Sequence, residues 1–357
     1  MAFDHYLMLH VVGKINGERT LPGMIHLLKG RPSLQAVQDS FLFGLSSLYH
    51  ACDGVDRRRF ADLAADCLKK GWITPLADAA DKFRLSHAGR RKLSEWNEHY
   101  RLPSGLRLID AVRAEGDFWL HLQLLVQTLS ELNAGNDSFL PVTRRPAVTE
   151  RIRQLVMHFN AELSTAAENL HDELRDLLIC MPSVEADLLA LQLSGHKLPG
   201  LTPAQLPQAT GRDFFECVLL TKSALRRMIR QITENTARFS ILAPLMPRGT
   251  SLSRSAAKSF SLLRNGLSID KVSDIRGLSR GTIEDHIVEI VLKVADIDVS
   301  RFLPPATERL IRSAASRLGT RQLKPIKASL GDRIDYFQIR LALARSVHEG
   351  NETNEHR

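Results

Sequence analysis

The chain has 357 residues, 44% of them hydrophobic, and its 48 Lys and Arg against 40 Asp and Glu give a formal net charge of +8. That length with that apolar content excludes a disordered polymer and predicts two or three packed domains, while the positive excess permits contact with a polyanion. The longest apolar stretch, FWLHLQLLVQTL, is interrupted by His121, Gln123 and Gln127, and no basic-then-apolar leader opens the chain, so no membrane span and a cytoplasmic location are expected.

Leu, Ala and Arg recur throughout, aromatic residues make up 6%, and the apolar periodicity is helical, which predicts a mostly α fold. In chain order, residues 1–102 open with apolar helix patterns around Tyr6 to Val12 and Leu21 to Leu28. A helix over Arg57 to Lys70 ends at Gly71 and is followed by WIT, a turn-rich segment, FRLS and a new helix. Helix, glycine, strand, turn, strand and helix make the grammar of a winged helix, with the wing tip near Pro75 to Lys82; a helical hairpin with an ordered loop is the simpler alternative. The middle, 103–247, reads as long helices, among them Pro146 to Ile179 and Arg212 to Phe239, separated by the breaker-rich SGHKLPGLTPAQLP. A joint at LMPRGTSLS leads to a helical region over 251–346, and 347–357 reads as a frayed tail.

In the C-terminal region, SIDKVSDIRGLSRGTIEDHI has the spacing of a helix-turn-helix. Ile269, Val272 and Ile275 share one helical face, Gly277 marks the turn, Ser279 is placed to cap the second helix, and Ile283, Ile287 and Ile290 resume the apolar face. Ser279, Arg280 and Thr282 then occupy the first turn of that helix, where an exposed N-terminus and short hydroxyls approach a phosphate or base edge, and Arg276 adds a cation in the turn. Glu284, Asp285 and Glu289 on the same helix oppose a phosphate-lined groove. Sequence-specific reading, non-specific DNA contact and protein docking all stay open for this helix, and His286 is expected to pack inside the unit.

Charge is unevenly spread. From Gly249 to Arg345 there are 17 Lys and Arg against 10 Asp and Glu, whereas the first 248 residues hold 30 against 27. A second basic group flanks the proposed winged helix: Arg57, Arg58, Lys69, Lys70, Lys82, Arg84, Arg90 and Arg91, with Arg59 and Lys92 beside them. Each alone is a solvated surface charge; together they suit a phosphate-tracking surface, because counterion release rewards many weak contacts. Trp72, at the start of a strand, suits the core better than a base-stacking platform.

Other chemistry lacks its residues. No G-x-x-x-x-G-K-[ST], G-x-S-x-G or G-x-G-x-x-G run is present, so nothing supports a nucleotide motor, a hydrolase or a dinucleotide enzyme, and neither a cofactor nor a small-molecule substrate is called for. In HDELRD, His171 and Asp172 have no second cluster to complete a metal site. Cys52, Cys67, Cys180 and Cys217 are too scattered for a zinc site and are expected to be buried free thiols.

At NGERTLPGMIHLLKGRPSLQAVQDSFLFGLSSLY (Asn16 to Tyr49) and SAAKSFSLLRNGLSIDKVSDIRGLSRGTIEDHI (Ser255 to Ile287), the chain resembles the YpbB family of bacterial proteins. LSGHKLPGLTPAQL between them and DYFQIRLALA near the end extend the likeness to nearly full length. The second segment is also similar to the helix-turn-helix module appended to some RecQ helicases, and LKKGWI with FRLSHAGRRKL is similar to the winged-helix domain that follows the RecQ motor. The resemblance implies a non-enzymatic partner of a separately encoded RecQ-type DNA helicase, acting in repair or recombination on duplexes, forks or single-strand junctions in the nucleoid. Asp78 and Asp81 depart from that pattern, because they place negative charge at the wing tip. A stand-alone transcription regulator and a docking scaffold without DNA contact are the alternatives.

Overall fold

The computed structural model describes residues 2–30, 33–77, 79–112, 114–159, 162–246, 252–294 and 297–352. Its elements are α1 (Ala2–Ile15), α2 (Leu21–Leu28), α3 (Leu34–Leu42), α4 (Arg57–Lys69), β1 (Ile73–Leu76), β2 (Ala79–Leu85), α5 (His87–His99), α6 (Glu115–Asn133), α7 (Pro146–His158), α8 (Leu163–Ile179), α9 (Ser183–Ala190), α10 (Leu206–Thr210) and α11 (Phe214–Glu234). The C-terminal helices follow as α12 (Arg254–Arg264), α13 (Ile269–Arg276), α14 (Arg280–Lys293), α15 (Pro305–Leu318), α16 (Leu323–Leu330) and α17 (Tyr336–Glu352). The fold is mostly α, as expected.

The chain divides into two compact units, one of Met1–Met8 with Ser94–Arg248, the other of Leu9–Leu93 with Gly249–Arg357. In the first, α6 packs on α7 and α8, and α11 packs on α6 and α9. Phe118, Leu122, Leu125, Leu177, Met228 and Ile232 fill its core. Asp213 caps the start of α11, its carboxylate accepting the Phe3 N–H at 2.7 Å, and Asp4 accepts the Phe215 N–H at 2.9 Å. Arg226 is fully buried, paired with Glu115 and donating to the Leu106 carbonyl, while Lys222 meets the same carboxylate at 3.0 Å. The helix expected over Pro146 to Ile179 is two helices, α7 and α8. Neither glycine nor proline marks this interruption: α7 closes at Phe159, and Glu162, with φ −99° and ψ 42°, begins α8 outside helical geometry.

In the second unit, α14 lies among α12, α13, α17 and α3, and α15, α16 and α17 form a further three-helix group. One core runs through both, from Ala256, Val272, Ile283 and Ile287 to Ile311, Ile326, Ile339 and Leu341, and Val37 and Leu42 of α3 join it. A Gln38 side chain on α3 donates to the Arg340 carbonyl at 3.2 Å. Residues three hundred positions apart therefore close one core. Between α4 and α5, β1 and β2 pair antiparallel with Ile73 opposite Leu85 and Thr74 opposite Arg84, and a single bridge from Thr20 reaches Lys82. Gly89 lets α5 start against this hairpin: a Cβ there would sit 1.9 Å from the Trp72 carbonyl oxygen. Asp78 of the expected wing tip, residues 247–251 of the expected joint and residues 353–357 lie outside the described residues, whereas α17 runs on to Glu352, into the segment expected as a tail.

Candidate nucleic-acid interface

Ser268 accepts the Lys271 N–H at 3.2 Å and starts α13, Gly277 ends it with φ +59°, and Ser279 accepts the Thr282 N–H at 3.2 Å to start α14. The short hydroxyls and the left-handed glycine thus do what their spacing predicts. Ile269 and Val272 are buried, but Ile275 is 54% exposed, so the expected apolar face stops one turn early; the chain is already leaving the core toward Gly277.

Arg276 and Arg280 of this motif have partners within the unit. Arg276 donates from Nη1 to the Ser255 carbonyl at 3.0 Å and to Ser259 Oγ at 2.9 Å, and from Nη2 to Ser255 Oγ at 3.2 Å. Ser259 Oγ is in turn 2.9 Å from His286 Nδ1, and His286 is buried as expected; burial first, then the Arg276 charge, lowers its pKa and keeps the ring neutral. Arg280 pairs with Asp270 at 2.5 Å and Glu284 at 3.0 Å, and Ser279 and Thr282 share a 2.9 Å hydroxyl contact. From His286 on α14 is closed off: His286 through Leu292 are all buried. Asp285 meets Arg340 at 2.6 Å, and Glu289 meets Ser253 and Lys293. A helix segment buried on every face cannot lie along a DNA groove; the open part of α14 is Arg280 to Asp285.

The N-terminal basic group is more open. Arg57 and Arg58 are exposed in the first turn of α4, Lys69 is exposed at its end, and Lys70 pairs with Asp66 at 2.7 Å while lying 5.7 Å from the centre of the Trp72 ring. Arg84 and Lys82 sit on β2, where the Arg84 Nε donates to the Asn16 carbonyl at 3.2 Å and Lys82 is half-buried at its bridge to Thr20. Arg90 donates to the Leu85 carbonyl at 2.8 Å, and Arg91 is exposed on α5. The hairpin and its two flanking helices thus gather one basic group, and the helix-turn-helix holds the other.

Three further cations escape sequence reading. Lys14 at the end of α1, Arg312 on α15 and Arg321 in the turn after α15 line one cleft of about 700 Å³. No local pattern marks them, because the cleft exists only where segments three hundred residues apart meet. Elsewhere, among the described residues, no group of three His, Cys, Asp or Glu is placed to hold a metal ion, and no helix is long and apolar enough to cross a membrane. His171 and Asp172 are an exposed pair at 3.4 Å.

These features define a helical protein carrying a helix-turn-helix domain at its C-terminal end, a class of fold associated with DNA. Residues 255–343 match the family model of a helix-turn-helix domain. Over 352 residues, 98% of this chain and 99% of the relative, the sequence is 26% identical to Protein YpbB of Bacillus subtilis (strain 168). The likeness carried by separate sequence segments therefore extends along almost the whole chain. No solved structure matches.

Proposed function

We propose that this chain is a non-catalytic accessory factor of a separately encoded RecQ-type DNA helicase, binding DNA with little sequence specificity and docking the helicase in repair or recombination. One observation carries the DNA part of this reading. The helix that would read bases is buried from His286 on, with Arg276 turned inward to Ser255 and Ser259 and the exposed Arg280 held in ion pairs with Asp270 and Glu284, whereas, among the described residues, Arg57, Arg58, Lys69 and Arg91 stand exposed outside any such ion pair. Charge at the surface without a presented reading helix favours backbone contact over base discrimination. A helix, hairpin and helix with the added Thr20 bridge support the winged-helix reading of residues 1–102. The helicase partner follows from the likeness to the YpbB family and to RecQ accessory modules.

The test is a pull-down with the organism's RecQ-type helicase, followed by unwinding of forked DNA with and without the chain. The expected result is co-purification, a preference for forks and junctions that varies little with sequence, and faster unwinding. Selective retardation of one operator-like duplex would instead establish a regulator. The exposed Ile275 ahead of the turn, with Arg280 already paired to Asp270 and Glu284, favours a second reading, in which the helix-turn-helix docks protein; capture of the helicase without any DNA affinity would support it.

A further inference from the structure

We propose that the cleft between the Asn16–Gly17 turn and the Gly319–Arg321 turn seats the phosphate backbone of a nucleic acid, held by Lys14, Arg312 and Arg321. This assignment rests on the DNA-binding reading above and gives it a location. One wall is the end of α1 with the turn after it, the other is α15 with its following turn, and both belong to the same compact unit.

The cleft exposes more polar than apolar surface. Its floor contains Ile15, Phe43 and Leu343, which expose only 1%, 5% and 4% of their surface, so little is left for an inserted side chain or a stacked base. Its open rim carries Lys14, Arg321, Asn16 and Ser316, all exposed. Among the described residues, Lys14 forms no ion pair, and the acid whose charge acts on Arg321 is Glu18. Glu18, the acid in the lining, accepts the Arg321 backbone N–H at 3.2 Å and so anchors the turn that presents the guanidinium. Arg312 lies 3.8 Å from Glu308, a carboxylate shared with Arg345 at 3.2 Å. Two guanidiniums and an ammonium around a polar rim suit phosphate, because a planar fork binds two phosphate oxygens at once and an ammonium adds a point charge.

Continuity with the hairpin strengthens the case. Arg84 holds the Asn16 carbonyl from the flank of the same turn, and Lys82 bridges to Thr20 just beyond it. Lys82, Arg84, Lys14, Arg312 and Arg321 therefore make one basic path over residues that the sequence keeps apart. An acidic protein segment is the competing occupant, but with so covered a floor it would have no apolar anchor to add to its charge.

The experiment uses the full chain and fluorescence anisotropy with a labelled mixed-sequence duplex across a salt series. Lys14→Ala with Arg321→Ala should lower the slope of log affinity against log salt by about 1.8, since each duplex phosphate contact contributes roughly 0.9. Thermal melting should be unchanged, and Lys14→Glu, an exposed change at a helix end, should weaken binding by itself and serves if Arg321→Ala disturbs the turn. Wild-type binding with an unaltered slope in the double variant and unaltered affinity in Lys14→Glu would overturn the cleft assignment and leave the DNA-binding reading standing. Absence of wild-type binding to any DNA at low salt would remove that reading, and the assignment with it. Binding of poly-glutamate that depends on Lys14, without DNA binding, would assign the cleft to an acidic protein and overturn the proposal.

Discussion

Glu289 of α14 accepts two hydrogen bonds from Ser253, one from the backbone N–H and one from the hydroxyl, each 2.7 Å long. Ser253 caps α12, so the acidic side chain that the sequence sets against phosphate instead ties the start of α12 to α14. Glu289→Ala leaves a partly buried N–H unpaired and is expected to destabilise the second unit by about 1–3 kcal/mol. Glu289→Gln, which keeps an acceptor, should cost less. Urea denaturation followed by far-UV circular dichroism ranks the two; equal losses would mean that the tie to Ser253 is not what Glu289 contributes.

The second unit should lose stability in acid in two stages. Burial, with the Lys14 charge adding to it, lowers His10 from 6.5 to about 4. Below pH 6.5 the unfolded chain takes up a proton that the folded ring refuses, so the stability present above that pH is lost as pH falls toward 4. His286, also lowered, acts in the same direction. For Glu289, burial pushes the carboxyl up, but the Lys293 charge and the bonds from Lys293 and Ser253 outweigh it and hold the group below 4.5. Its contribution is lost only under stronger acid. Paired His10→Gln and His286→Gln substitutions should flatten the upper stage and spare the lower; an upper stage that persists unchanged would show that buried imidazoles do not cause it.

Arg276 should behave as a structural residue, and the exposed Arg280, already paired with Asp270 and Glu284, should add little to DNA affinity. Arg276→Ala breaks its bonds to Ser255 and Ser259 and is expected to cost roughly 1–2 kcal/mol of stability. The salt slope of DNA binding should not move in either single variant. Arg57→Ala with Arg58→Ala should do the reverse, lowering the slope by about 1.8 at unchanged stability, as two lost phosphate contacts require. Titrations across a salt series separate the two pairs, and a slope change in the Arg276 or Arg280 variant would return the helix-turn-helix to the DNA surface.

In the first unit, Glu115→Ala would strand the buried Arg226 guanidinium. Breaking a buried pair from one side costs about 3–5 kcal/mol because the remaining charge cannot reach water. Replacing both, as Glu115→Leu with Arg226→Met, should recover most of that loss. Chemical denaturation of the single and double variants gives the coupling directly, and additive losses would show that the two side chains do not depend on each other.

Cysteine reactivity should follow burial. Cys52, Cys67 and Cys217 are buried, and burial pushes the Cys67 thiol up to about 12, whereas Cys180 at the end of α8 is exposed, against the expectation of four buried thiols. Ellman's reagent should modify Cys180 rapidly and the other three only on unfolding. Cys180→Ser should abolish the fast phase.

Local structure was legible in the sequence wherever a short rule operates. Ser268, Gly277 and Ser279 place α13 and α14 through capping and a left-handed turn, and Gly71 with the alternating strand residues places the hairpin, because those interactions lie within a few residues of one another. The likeness of the whole chain to YpbB was legible in the same way, segment by segment. Tertiary structure alone decided what the charges do. Arg276 and Arg280 look free in the sequence and are bound in the fold, since their partners Ser255 and Asp270 are set by helix packing. Lys14, Arg312 and Arg321 look unrelated and share a cleft. Side-chain electrostatics depend on distance through space, which a linear pattern does not encode once the contact spans three hundred residues.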